Sequence, residues 1–555
     1  MNRINNIVMK ILPIVLIILF GFPAMAQEWE NEGELEDLEI EIIKERQISL
    51  PKANRNFEKI PPRPTDPIRS TFQYDFRSFS FQTTPISPTI RPLKLKQADP
   101  TKIYTGYVSA GFGNFASPYL EGYINSGRDK NKLIGAYGLF SASDNGPVDG
   151  RNSGSGLSLM SVYGKTFNQH VALSGDLGFE NRTTHFYGYP TGTDIEAKDI
   201  KQSYSTFRLK GELSNATNSD FGYTLAPSLS YMTDKFDAKE SEVDVVFKAR
   251  YKVSDENAIG VDAGYYLINR DDKLVSADPR SLFVVNPYYE FYPVANLKIH
   301  AGLNAAIEND SIGDKNVHAY PDICTSYPLS PSVQAVASLT GGMEKVSLQS
   351  LSNENIWLAP NVAIFHTNKL YDFSVGLNTK IANKVSLNGG FSIASLKNWY
   401  FFVNDPDDAS KFIVEYDREE TTRTNFFATI GYAQTQKINI SLRADIFSYD
   451  RKEEDLEAWH RPTHKITADG SFNIVEKMIM SLRVISLGGM KAENNDGELI
   501  TLDAALDLSA RLEYLLSDNF SAFAQLNNIA SNEYPLYLNY PARGFQVMGG
   551  LTWKF

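Results

Sequence analysis

A membrane-spanning, all-β fold is what this sequence predicts: an antiparallel up-and-down β-barrel of about 22 strands, within roughly 18 to 24. Three observations carry the prediction. Long segments alternate apolar and polar residues from about residue 103 to the end. The connections between them alternate short and long. The chain stops inside such a segment, on Phe555, with Trp553 and Leu551 at every second place before it.

The first 26 residues read as a cleaved secretory signal peptide. Arg3 and Lys10 give a positive start, "ILPIVLIILFGF" an apolar core, and Ala24-Met25-Ala26 a small-residue cleavage site before Gln27. The apolar run is short for a membrane helix, and no later run is longer. Losing Arg3 and Lys10 takes the formal charge from −12 to −14. That balance argues against a nucleic-acid partner, which calls for a basic face. The single cysteine, Cys324, excludes an internal disulfide framework and reads as a packing residue.

Residues 27–100 form a second, mostly irregular segment on the periplasmic side. "EWENEGELEDLEIEIIKER" is acidic, and the Pro-rich "SLPKANRNFEKIPPRPTDPIRS" is basic. Such composition builds no core of its own. It reads as a solvated tail, or as a segment that enters the pore or docks on an envelope protein. Phe72, Tyr74 and Phe76, at period two, suit a short added strand.

Residues 101–555 are the barrel. "EVDVVFKARYKV" sets Val243, Val245, Phe247, Ala249, Tyr251 and Val253 against Asp244, Lys248, Arg250 and Lys252. "LDAALDLSARLEY" sets Leu502, Ala504, Leu506, Leu508, Ala510, Leu512 and Tyr514 against Asp503, Asp507, Arg511 and Glu513. "KINISLRADIF" and "NLKIHAGLNAAI" repeat the pattern. These segments exceed the usual five or six residues of a soluble strand and suit a tilted bilayer crossing. Their second face carries full charges, as a wet lumen requires. Abundant Tyr (29) and Phe (33), against 5 Trp, suit strands and interfacial girdles.

Short connections such as "TFNQH", "NATNSD", "VSDENA", "ANKV" and "LSDN" alternate with long ones. The long set includes "SDNGPVDGRNSGSG", "YGYPTGTDIEAKDIKQ", "YDRKEEDLEAWHRP" and "ASNEYPLYLNYPARG". Outer-membrane barrels have short periplasmic turns and long outer loops, and an even strand count brings both termini to the periplasm. Residues 344–369 fit neither class. In "GFQVMGGLTWKF", Phe545, Val547, Gly549, Leu551, Trp553 and Phe555 share the lipid face. No open edge survives in lipid, so the last strand must close on the first.

Several stretches of the final third resemble the barrel of TonB-dependent receptors, particularly the Bacteroidetes type. They include "EAWHRPTHKITADGSFNIVEKMIMSLRV" and the run from "LSARLEYLLSDNF" through Asn527, Asn528, Ile529, Tyr534 and "YPARGF" to the end. The resemblance implies a 22-stranded outer-membrane barrel and a C-terminal Phe555 strand read by the barrel insertion machinery. Members of that family carry an N-terminal plug inside the barrel. Residues 27–100 are too short and too polar for one, so the resemblance implies a barrel lacking the plug.

Catalytic patterns are missing. There is no H-E-x-x-H, phosphate-binding Gly loop or G-x-S-x-G. His460 and His464 would share a face on a strand, as metal ligands must, but "WHRPTH" reads first as a loop–strand junction at the outer rim. The acidic "NDPDD" and "NNDGE" suit Ca²⁺ in composition, and solvated loops in context. The expectation is therefore no catalytic, cofactor or metal site and no enzyme. Two functions remain: a pore or channel for solutes, or a structural subunit of a larger outer-membrane complex. Lipid is a partner in either.

Overall fold

The computed structural model describes residues 104–555, apart from 128, 191, 218, 275, 311–315, 435–436, 453–456 and 495. The readings for 1–26 and for 27–100, with Phe72, Tyr74 and Phe76, lie outside the described residues.

Twenty-two strands hydrogen-bond in one antiparallel ring, the count read from the connections. Strand Gly106–Gly113 pairs with Ser117–Asn125 on one side and with the last strand, Gln546–Lys554, on the other. Tyr107 stands opposite Lys554 and Gly113 opposite Met548. This closure leaves no edge, the condition for a sheet in hydrocarbon. The ladder runs to the final residue. Phe555 N donates to Gly106 O at 3.0 Å, and Thr105 N and Gly106 N donate back to Phe555 O at 2.8 and 3.1 Å. Gly106 is needed there: a Cβ would lie 2.7 Å from both the Phe555 ring and the Tyr123 carbonyl oxygen.

The two faces separate as the alternation requires. In the last strand Leu551 is 59% exposed and Trp553 46%, while Thr552 is 7% exposed. Phe247, Tyr251, Val253, Leu303, Ile307, Leu442 and Ile446 are likewise exposed on the outer face. The inner face carries ion pairs: Arg443–Asp445 at 2.7 Å, Arg483–Asp469 at 2.6 Å and Arg250–Glu290 at 2.8 Å. An outer aromatic row follows the short-turn end. Phe221 faces Tyr251, Tyr251 faces Ile259, and Ile259 faces Tyr289. Phe520 stacks on Trp553 at 6.2 Å. Such girdles mark a membrane interface.

One stretch departs from its reading. Strand Ala505–Leu515 starts after Leu502 and Ala504, which were placed on its apolar face. The 489–504 connection folds on itself, with strands Lys491–Glu493 and Leu499–Thr501 paired. Leu502 N donates to Met490 O at 2.9 Å, and the side chain is buried with Met490 and Ala492.

The wall is uneven. The strands at the seam, Gly106–Gly113, Ser117–Asn125, Phe520–Asn527 and Gln546–Lys554, have 8 or 9 residues. Val385–Asn404 and Phe412–Gln434 have 20 and 23. A tilted crossing needs about 9–11 residues, so this pair rises far beyond the rim at the long-loop end.

Candidate functional site

At that end the irregular stretch becomes the centre of the molecule. The 345–366 connection, between strands Val333–Glu344 and Thr367–Ile381, folds into the barrel mouth around a short helix, Leu348–Glu354. Ser347 opens the helix with a capping box: its Oγ accepts from Ser350 N at 3.2 Å, and Ser350 Oγ accepts from Ser347 N at 2.8 Å. The next two orphan amides, Leu348 N and Gln349 N, donate to the two carboxylate oxygens of Glu240, each at 2.8 Å. Glu240 stands on strand Lys239–Lys252, so the wall itself caps the helix.

Three wall arginines hold the loop by its carbonyl oxygens. Arg182 Nη1 reaches Ser352 O at 2.9 Å, Arg270 Nη1 reaches Val362 O at 2.7 Å, and Arg280 Nη1 reaches Val346 O at 3.0 Å. Each has a carboxylate: Glu180, Asp272 and Asp310 respectively. Lys345 adds a fourth anchor, 2.7 Å from Glu242 and 2.8 Å from Asp244. His366 ties the two ends of the loop. Its Nδ1 accepts from Arg280 Nη2 at 2.9 Å and from Val346 N at 3.1 Å. Burial, then the Arg280 charge, hold the imidazole pKa down at about 4, so the ring is neutral and able to accept. Burial alone would raise the Asp310 carboxyl; the Arg280 hydrogen bonds and His366 bring it below the ordinary value.

The seal is apolar. Leu348, Leu351, Trp357, Leu358, Val362 and Ile364 of the loop are buried together with Phe186, Tyr187, Phe402, Phe412 and Tyr540 from other connections and strand ends. Trp357 and Tyr540 lie 4.1 Å apart, ring to ring. The tall strand pair folds over this cluster. A bulge at Asn398 (φ 54°) shifts its register between Lys397 and Trp399. Beyond it both faces are buried: Phe402 against the loop cluster, and Trp399 and Phe401 against Ala458 and Trp459. Glu354 links three connections, accepting from Tyr400 at 2.5 Å and Arg461 at 2.6 Å, while its carbonyl accepts from Tyr537 at 3.2 Å.

Beside the seal, open space follows one wall. A cavity of about 620 Å³ lies between the loop cluster and the seam strands, with Ser155, Arg182, Asp507, Gln525, Asn527 and Arg543 in its lining. A second cavity, of about 470 Å³, continues along the same wall. Gln525 and Asn527 line both, and Asp469, Arg483 and Arg511 line the second. The two form one polar track with four arginines and two aspartates. Arg511 stacks on Phe523 at 4.1 Å and bonds Gln525 at 3.2 Å. Among the described residues neither Arg511 nor Arg543 has a carboxylate within ion-pair distance.

The histidines read as possible ligands are separated in role. His464 begins strand His464–Val475. His460 sits in a buried turn, its Nδ1 donating to Phe402 O at 2.8 Å and its Nε2 accepting from Leu538 N at 3.2 Å. Burial lowers its pKa to about 4. With both ring nitrogens engaged by backbone, it is a clamp on the seal. No group of three metal-ligating side chains occurs among the described residues. In "NDPDD", Asp408 is occupied by Ser410 and Lys411. Cys324 is a free, half-buried thiol. Sequence reasoning missed the wall arginines Arg182, Arg270 and Arg280 and the helix-capping Glu240. The available signal was the aromatic content of the "loops" themselves, in Trp357, Trp459, Tyr537 and Tyr540.

No protein-family model and no curated protein sequence matches the chain. Solved structures do. The FrpB iron transporter from Neisseria meningitidis aligns with a TM-score of 0.64 at 9% identity, over 83% of this chain and 82% of that one. The siderophore receptor PirA from Acinetobacter baumannii gives 0.63 at 9%, over 81% and 80%. A ferric enterobactin receptor (PfeA) mutant from Pseudomonas aeruginosa gives 0.62 at 11%, over the same shares. At these identities the likeness is one of fold: the chain shares the closed barrel of these iron-transporter and siderophore-receptor structures.

Proposed function

We propose that this chain is an outer-membrane barrel of the Bacteroidetes TonB-dependent-receptor type that passes polar solutes without catalysis. The 345–366 loop takes the place of a plug domain, and solutes move beside it. The observation that carries this reading is the track shared by the two cavities through Gln525 and Asn527. A wide barrel leaves a lumen unless something fills it, and here the filling lies to one side of that wall. In this reading residues 1–26 are removed on export, and both termini face the periplasm with the long loops outside. Lipid meets the aromatic girdle, the insertion machinery reads the Phe555 strand, and residues 27–100 meet an envelope partner.

Single-channel conductance of the purified full chain tests it. Asn527→Trp, in the shared wall, is expected to cut conductance by at least half. Ser338→Trp, in a separate cavity of about 410 Å³, is expected to leave it unchanged. A silent channel would overturn the reading. The second reading, a structural subunit, draws on the seal itself, whose clamps suit a permanently closed mouth; co-purification with a fixed set of envelope proteins would support it.

A further inference from the structure

We propose that the 620 Å³ cavity at the mouth is a binding site for a small hydroxylated organic anion, of the size of a carboxylated or phosphorylated monosaccharide. This deepens the transport reading by naming a solute class for the same track.

Arg543 stands in the lining of this cavity. A guanidinium has five N–H donors. Here Nη2 donates to Ser155 Oγ at 2.8 Å, and Nε is buried with no partner among the described residues. Burial pulls its pKa below the ordinary arginine value. An uncompensated, partly desolvated cation is costly, and an arriving anion removes that cost. The planar fork also suits two-point contact with a carboxylate or phosphate.

The other charges of the cavity do not supply that anion. Arg182 is answered by Glu180 at 2.9 Å and spends its Nη atoms on Ser352. Among the described residues the lining holds one carboxylate, Asp507, which accepts from Ser509 at 2.8 Å and from Tyr534 at 3.1 Å. Among the described residues Arg543 is thus the open charge of the cavity. The remaining lining is rich in hydroxyls and amides, with the aromatic Tyr187 and Trp357 on the side of the seal. That mixture suits a polyhydroxylated ligand, and the volume lies within the roughly 300–1,000 Å³ of small-molecule sites. The chain as a whole is acidic, with formal charge −12. A cationic pocket in it is a local feature, not a by-product of overall charge.

Isothermal titration of the detergent-solubilised full chain, with glucuronate, glucose 6-phosphate, glucose and glucosamine, tests the proposal. Either anion is expected to bind, with glucose at least tenfold weaker and glucosamine undetected. Arg543→Gln should weaken anion binding at least tenfold, with Arg543→Lys recovering part of the loss. Ser155→Trp, which fills the cavity beside Arg543, should abolish it; this second variant serves if Arg543→Gln fails to fold. Equal binding of glucose and glucuronate, or full affinity in a folded Arg543→Gln protein, would overturn the proposal. Binding by a chain silent in bilayers would refute transport and keep the site; conduction with no binding of either anion would do the reverse.

Discussion

Acidification should unlock the mouth, and the amount follows from two buried histidines. His366 and His460 each accept a backbone N–H on a ring nitrogen, which protonation would abolish. Both have pKa values held at about 4, against 6.5 for a solvated imidazole. The sign follows directly. A released loop takes up a proton below pH 6.5, and the closed loop takes one up only below about 4. The closed state is therefore fully favoured above 6.5 and loses ground as pH falls through that window. At pH 5 the loss is about 2 kcal/mol per histidine. The two sites use different backbone partners, so together they give at most about 4 kcal/mol, and the Glu240 carboxyl under the helix, raised by burial and by Glu242, works in the opposite sense and reduces the net. Asp310, depressed as a carboxylate, titrates below this window. Hydrogen exchange of amides 348–354 at pH 7.5 and 5.0, corrected for intrinsic rates, reads the change, and conductance should rise in parallel. His366→Asn with His460→Gln supplies non-titrating acceptors and should erase most of the response. An acid response undiminished in that double variant would refute the reasoning, as would a wild-type loop equally protected at both pH values.

Other consequences are as direct. Arg280→Leu strips Asp310 of its ion pair and Val346 O of its donor, a change worth about 3–5 kcal/mol; the 345–366 loop should become cleavable by added protease while the barrel keeps its heat-modifiable gel shift. Trp357→Ala removes the ring at the centre of the seal, costing about 3–5 kcal/mol, and should raise conductance at neutral pH. Gly106→Val drives a side chain into the Phe555 ring and the Tyr123 carbonyl and should reduce the yield of closed barrel in a refolding assay by several-fold, with Gly106→Ala intermediate.

The barrel was legible because its pattern is local. Period-two alternation in "EVDVVFKARYKV" and the short "VSDENA" turn follow from a strand with lipid on one face and water on the other. The closing strand was legible for the same reason. The seal was not, because it has no period. Leu348, Leu351, Trp357 and Leu358 gain their meaning from Phe186, Phe412 and Tyr540, which lie far away along the chain. Leu502 misled for a related reason: alternation continued across a strand start, and only the folded-back 489–504 connection took that residue out of the wall. His460 lies in the connection before strand His464–Val475, but its role depends on Phe402 and Leu538, which no spacing announces.

The seal also fixes an order of events in assembly. Tyr540 meets Tyr187 and Trp357 only when residues from both ends and the middle of the chain are already in place. Such contacts join parts of the chain that lie far apart in sequence, as the seam itself does, and form late. The mouth is expected to fill once the seam has paired, because the closing strand Gln546–Lys554 follows soon after Tyr540. A newly inserted copy is then expected to pass through a state with a complete wall and an unfilled mouth. Any leak through that state would last until the 345–366 loop reaches Arg182, Arg270 and Arg280, a rate that strand pairing alone does not control.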